Sequence, residues 1–295
     1  MPTQTEIRQD ITNRIVAALE QDLLPWRKPW STSPNIGRAA NFTSGNNYSG
    51  VNPLLLELHR MKFDLQSRWW GTYRQWSGKG CMVKRRPDGV KSGEWGCRIV
   101  FARPVTKKKE KDGKEIEDKF FMLRNFTVFN AEQVEGEFAE SLQVQDEEPT
   151  EAVPDFAPAD ELIGGTGADI RHGGEAAFYR PLEDFIQMPH KHRFDPAGSY
   201  YESLFHELAH WSESRLGWSA SYGMNELVAE MSASFLATEL GVPQGETFEN
   251  HAAYIKSWLK AMNDDPSFIF KASTQASKVA DFLLTFREAA AVASV

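Results

Sequence analysis

His206-Glu207-Leu208-Ala209-His210 is the stretch of this 295-residue sequence whose residue types and spacing can do chemistry. Residues four apart share one face of a helix, so two imidazoles would meet at one point with Glu207 beside them. Two neutral imidazoles suit a borderline divalent cation, Zn2+ first and Mn2+ as an alternative. A catalytic ion differs from a structural one in keeping an open position next to its protein ligands, where water can be activated. Glu207 is the expected general base, taking a proton from the attacking water and later delivering it to the leaving amine. Its loss should abolish turnover and leave the ion bound.

A third ligand is expected from the next helix, where Glu226-Leu227-Val228-Ala229-Glu230 places two carboxylates four residues apart on one face. Either could reach the ion. The combined pattern resembles the gluzincin group of metallopeptidases, in which the first such carboxylate is a ligand and the later acid orients a ligand histidine. That resemblance implies Glu226 as ligand and Glu230 behind a histidine. Glu230 stays open as the alternative ligand, because nineteen residues separate it from His210, a spacing that some gluzincins use for the ligand itself. Tyr222 is a weaker candidate, as an oxyanion stabiliser. His172, His190, His192 and His251 read as surface or loop residues.

The elements that must position these groups are legible from periodicity. Tyr200–Leu216, Asn225–Leu240, Phe248–Met262 and Pro266–Ala289 carry apolar residues on a 3.6-residue period and predict helices. Ahead of them, Ala168–His172 and Ala176–Tyr179 flank Gly173-Gly174 and predict a strand pair, with Phe185–Met188 as a further strand. In the first half, Ile7, Ile11, Ile15, Val16 and Leu19 predict a helix over 5–23, and a second helix begins near Pro53. Trp95–Phe101 and Phe120–Phe129 read as strands, with the charged run 107–119 between them as a hairpin tip. The expected architecture is α+β in two domains, 1–135 and 161–295, joined by an acidic, Pro-containing linker over 136–160.

Charge separates the two halves. Residues 1–130 hold 23 Lys and Arg against 13 Asp and Glu, a net +10, while the remainder is net −18. Such asymmetry points to one half meeting a polyanion. Six of the nine tryptophans fall in the basic half, several beside a cation. Single-stranded nucleic acid offers base faces that stack on aromatics and phosphates that attract cations, whereas a duplex hides the faces. The candidate contacts are Trp26, Arg27, Lys28, Trp30, Arg68, Trp69, Trp70, Arg74, Trp76, Lys84, Arg85 and Arg86, with Lys107-Lys108-Lys109 able to track phosphates. Phe120, Phe121, Phe126 and Phe129, in an alternating run, read as core.

No apolar run approaches the roughly 18 residues that a membrane span needs. The first ten residues lack the layout of a secretory signal, and Cys81 and Cys97 need no disulfide framework. A cytoplasmic protein is expected. The sequence resembles the ArdC family of plasmid-encoded antirestriction proteins nearly end to end. The resemblance is carried by Asn41-Phe42-Thr43-Ser44-Gly45, Tyr48-Ser49-Gly50-Val51-Asn52, Phe126-Thr127-Val128-Phe129-Asn130, Ala168-Asp169-Ile170-Arg171-His172-Gly173-Gly174 and the two site motifs. The first half is also similar to the N-terminal domain of conjugative TraC-type primases. The resemblance implies a single-stranded-DNA-binding domain joined to a zincin-like metallopeptidase domain, protecting incoming plasmid DNA from host restriction during conjugation. Its expected partners are single-stranded DNA and a protein or peptide substrate, such as a host restriction component. One departure is Asn225, where related sequences often have an acid. The alternative is a factor that coats DNA, its metal site structural or vestigial and not needed for protection.

Overall fold

The computed structural model describes residues 3–27, 37–111, 114–143, 156–194, 197–244 and 252–293. Helix α1 (Gln4–Leu19) starts at a capping box, in which the Thr3 hydroxyl accepts from the Glu6 amide and the Glu6 carboxylate accepts from the Thr3 amide. Its buried stripe is the one the period predicts, Ile7, Ile11, Ile15 and Leu19. Strand β1 (Ala40–Asn41) and helix α2 (Asn52–Phe63) follow, and α2 ends where Asp64 turns left-handed at φ 49°. Next come β2 (Trp69–Thr72), α3 (Tyr73–Ser77), β3 (Met82–Val83), β4 (Cys97–Lys111), β5 (Lys114–Asn130), β6 (Val134–Glu135) and α4 (Glu137–Glu140).

These strands make a sheet of order β1-β2-β5-β4 and a small β3-β6 pair. The expected β4–β5 hairpin is present, but the charged run 107–119 is not its tip. Both strands pair through it, with Lys107 opposite Asp118 and Lys108 opposite Glu117. The backbone ladder therefore runs on through the charged run, as far as Lys111 opposite Lys114. Phe126, expected in the core, is 43% exposed. The side chains of Phe120, Phe121 and Lys107–Lys109 lie outside the described residues. Helix α4 falls in the stretch expected as linker, and its Phe138 packs on Phe42 and Trp76.

The second half contains α5 (Ala157–Thr166), β7 (Asp169–His172), β8 (Phe178–Arg180), β9 (Phe185–Met188), α6 (Gly198–Arg215), α7 (Tyr222–Leu240), α8 (Ala252–Asp264) and α9 (Phe268–Ala293). The expected pairing of the strands around Gly173-Gly174 is corrected. Strand β9 lies between them, parallel to β7 and antiparallel to β8. A parallel partner needs no tight turn, so the Gly-Gly step does not have to close a hairpin. This leaves β8 as an edge strand beside α6. Helix α7 is buried on nearly every face, between α6, α8 and α9, the signature of a central core helix.

One apolar cluster runs from Ile7 and Leu54 to Leu227 and Leu283, so the two halves share a core. Polar ties cross the same seam. Arg38 donates to Glu239 at 2.7 Å and to Asp281 at 2.6 Å, and Gly37 donates its amide to the Thr238 carbonyl. Gly37 sits at φ +117°, and a Cβ there would collide with the Arg68 guanidinium, two reasons for a glycine. The fold is α+β. Among the described residues no helix is long and apolar enough to cross a membrane. Both cysteines are free and buried, and burial pushes the Cys97 thiol up to about 12.

Buried His59 makes the fold sensitive to acid. Its Nε2 lies 3.2 Å from the Trp95 carbonyl, yet burial pushes its pKa down to about 4. The unfolded chain would titrate near 6.5, so stability present above that value is lost as pH falls towards 4. At about 1.4 kcal/mol per pH unit, roughly 3 kcal/mol is at stake. Denaturant melts at pH 7 and pH 4.5 should show this loss, and His59→Gln should flatten it; equal slopes would exclude His59 as the source.

Candidate metal centre

Helix α6 carries His206, Glu207 and His210, and α7, packed against it, carries Glu226 and Glu230. The two rings face one point, with Nε2 of His206 and Nε2 of His210 3.2 Å apart. Glu226 faces both, Oε2 lying 3.6 Å from His206 Nε2 and Oε1 3.6 Å from His210 Nε2. Bonds of about 2.0–2.1 Å at tetrahedral angles would place donor atoms about 3.3 Å apart. The three separations therefore suit one small divalent ion, and His206, His210 and Glu226 could hold it. Glu226 is only 9% exposed, and a buried carboxylate without a cationic partner is costly.

The electrostatics agree. Burial works against a charge on His206, but the hydrogen bond with Glu226 and the charges of Glu207, Glu230 and Glu226 outweigh it and raise its pKa. Burial likewise opposes ionisation of Glu226, and His206, His210 and Tyr222 reverse that and lower it. The carboxylates thus favour a positive charge at the place where a cation would sit.

Behind the donors lies a ring of supporting contacts. Glu230 faces the other side of His206, Oε2 being 3.9 Å from Nδ1. Glu213 Oε1 lies 2.8 Å from His210 Nδ1, and since a carboxylate only accepts, Nδ1 carries the proton and Nε2 keeps its lone pair. Sequence reasoning missed Glu213, although its place three residues after His210 puts it on the same face. Asn225 bridges the same carboxylate to an indole. Its amide donates to Glu213 at 3.2 Å and accepts from Trp218 Nε1 at 3.0 Å. An acid could accept from Trp218 but would face Glu213 charge to charge.

Glu207 is tied to the edge strand, the Tyr179 amide donating to its Oε2 at 2.8 Å. A cleft of about 1070 Å³ opens over these groups, walled by Phe178 and Tyr179 on one side and by Tyr222 and Tyr254 on the other. Tyr222 is 68% exposed and shares a hydrogen bond with the Tyr254 hydroxyl at 2.8 Å, which with burial raises its pKa. His172, His190 and His192 are exposed and lie apart from the donors, and His251 is outside the described residues.

The candidate DNA contacts divide sharply. Trp26, Trp70 and Trp76 are 3%, 1% and 0% exposed, so their faces belong to the core and are closed to a base. Arg27 points into the metal cleft, paired with Glu202 at 3.0 Å. Arg68 lies over the half-buried Trp69 ring and donates to Asn47 at 2.7 Å. Arg74, Lys84, Arg85 and Arg86 are exposed, whereas Lys28 and Trp30 lie outside the described residues. Sequence reasoning misplaced Trp26, Trp70 and Trp76 because periodicity cannot separate an indole that closes a core from one that stacks on a ligand. Among the described residues the exposed aromatic rings of this half are Tyr73, Phe101 and Phe126, the last two edge to face at 6.5 Å beside exposed Arg124.

A family model of zincin-like metallopeptidases matches residues 157–275, and a model of the N-terminal domain of anti-restriction factor ArdC matches residues 5–129. A protein named DNA primase TraC from Escherichia coli is 34% identical over 303 residues, 95% of this chain but 27% of its own length. The chain thus spans about a quarter of that relative. The crystal structure of the metal-free antirestriction ArdC protein from the R388 plasmid superposes with a TM-score of 0.75 at 32% identity, covering 96% of this chain and 98% of that one. The Mn(II)-bound structure of the same protein gives 0.71 at 34% identity, with 95% and 97% covered. Matched over both halves in sequence and in fold, this chain belongs to the ArdC family of antirestriction proteins and carries a zincin-like metallopeptidase domain.

Proposed function

We propose that this protein protects incoming plasmid DNA from host restriction during conjugation. In this reading it acts in the cytoplasm, holds single-stranded DNA on its basic half, and hydrolyses a protein or peptide at the metal centre. A host restriction component is the candidate substrate. The observation that carries the reading is the donor spacing of 3.2, 3.6 and 3.6 Å among His206, His210 and Glu226. These three hold the ion, Zn2+ by the chemistry of the donors or Mn2+ as in the related plasmid protein. Glu230 and Glu213 orient the two imidazoles. The division into 1–135, 136–160 and 161–295 is part of the same reading.

A bound divalent ion would polarise the scissile carbonyl and lower the pKa of a water beside it. Glu207 takes the proton from the attacking water on Oε1, its Oε2 being held by the Tyr179 amide, and passes it to the leaving nitrogen. Conjugative transfer into a restricting host tests the whole reading: the Glu207→Ala variant should protect less than wild type. Full protection by that variant would separate antirestriction from hydrolysis and leave coating of the DNA as the mechanism.

Support for the DNA half is the excess of cations, the match to the ArdC N-terminal domain and the exposed Phe101 and Phe126 pair. Stacked bases are worth about 1–3 kcal/mol each. Replacing both rings by Ala should therefore weaken binding of a poly-dT oligonucleotide about tenfold or more in low-salt anisotropy titrations, with the melting temperature little changed. Undiminished affinity would remove these rings from the interface.

A further inference from the structure

The support around the metal centre includes one residue from the other half of the chain. Past α1 the backbone runs across α7, where Trp26 meets Trp258 edge to face at 6.1 Å and its carbonyl accepts from the Ser234 hydroxyl. This anchorage delivers Arg27 into the cleft. Arg27 Nη2 donates to Glu202 Oε1 at 3.0 Å, and Nε lies 3.9 Å from Glu230 Oε1, whose other oxygen is the one 3.9 Å from His206 Nδ1. Glu202 stands one turn before His206 on α6, so the guanidinium sits between two carboxylates that belong to different helices, one of them beside the His206 imidazole.

The side chains of Arg27, Glu202 and Glu230 are only 13%, 16% and 10% exposed, so water screens their charges weakly. Two carboxylates in that position repel one another unless a cation lies between them. Arg27 is the one lysine or arginine among the described residues that line the cleft. Nε and Nη2 leave the same edge of the planar guanidinium, so its hydrogen bond to Glu202 holds the charge 3.9 Å from Glu230, a directed placement that an ammonium would give less well.

We propose that Arg27 is a positioning residue of the metal centre: by fixing Glu230 against His206 it presents His206 Nε2 to the ion, and the N-terminal half thereby completes the site. This rests on the metal-binding reading above. The same contact moves Arg27 from the DNA interface, where its place in the sequence suggested it, to the peptidase site.

The test is Zn2+ affinity of the full chain, by competition with a chromophoric chelator, for wild type, Arg27→Met, Arg27→Lys and Asn47→Ala. Removing an outer partner of a ligand typically costs about 10- to 100-fold in metal affinity. Arg27→Met should show that loss, Arg27→Lys should recover part of it, and poly-dT affinity should stay unchanged. Asn47 donates to Glu239 at 2.6 Å, a tie between the halves remote from the cleft, so Asn47→Ala should bind Zn2+ as wild type does. If Arg27→Met does not fold, Arg27→Gln, which keeps two of the three stem methylenes and a neutral donor, is read in the same way. Equal affinity in wild type and the Arg27 variants overturns the inference, as does an equal loss in Asn47→Ala, which would mark a general effect of loosening the halves. A wild-type chain that takes up no ion overturns the metal-binding reading itself, a different result from wild-type binding retained in Arg27→Met.

Discussion

Glu207→Gln is expected to lower peptide hydrolysis about a thousandfold or more while the protein still takes up its ion. General acid and base catalysis is worth about 10²–10⁴ in rate, and Glu207 supplies both steps, first accepting the proton of water and then giving it to the leaving amine. An amide can do neither. Its carbonyl oxygen can still accept from the Tyr179 amide, which now donates to Oε2 at 2.8 Å, so the helix and the edge strand should keep their relation. The donors His206, His210 and Glu226 are untouched by the change. Cleavage of a casein digest followed by mass spectrometry, with metal content measured on the same sample, reads both halves of the expectation. Cleavage at the wild-type rate would sink Glu207 as the base; loss of the ion together with activity would show that the substitution had disturbed the site.

How far such a site could be read before the structure depended on distance along the chain. The helices bearing His206, His210 and Glu226 follow from a local period, and the face each residue occupies follows from spacing alone. The placement of Glu226 opposite the two Nε2 atoms, with Glu230 beyond Nδ1, does not. It depends on how α7 lies against α6, which is set by packing among residues far apart in sequence. The strand order β7-β9-β8 and the burial of Trp26, Trp70 and Trp76 belong to the same class. Each is a tertiary choice, and a basic, tryptophan-rich sequence is compatible with either outcome. Arg27 is the sharpest case. Its neighbours Trp26 and Lys28 make it look like part of a nucleic-acid contact, and only the packing of Trp26 on Trp258 turns it towards the metal donors.

The second large effect separates the two carboxylates. Glu226→Gln should weaken metal binding by more than about 100-fold, whereas Glu230→Gln should stay within the roughly 10- to 100-fold that outer partners command. Glu226 faces both Nε2 atoms at 3.6 Å, the side on which a lone pair is free, and Glu230 faces Nδ1. A larger loss in Glu230→Gln would exchange the two roles. The pH dependence of the ion-free protein supplies a second reading of the same geometry. The pKa of His206 is raised, so the stability it gains from Glu226 is fully present below its unfolded value near 6.5 and is lost as pH rises through the raised value. Glu226 is lowered, so its share is present above its ordinary 4.5 and is lost only as pH falls through the lowered value. The pair therefore stabilises the ion-free chain most between about pH 4.5 and 6.5. Metal must displace the proton, so affinity should climb with pH over the interval in which the ion-free form loses this support. In Glu226→Gln both trends should flatten together, because one carboxylate is the origin of each.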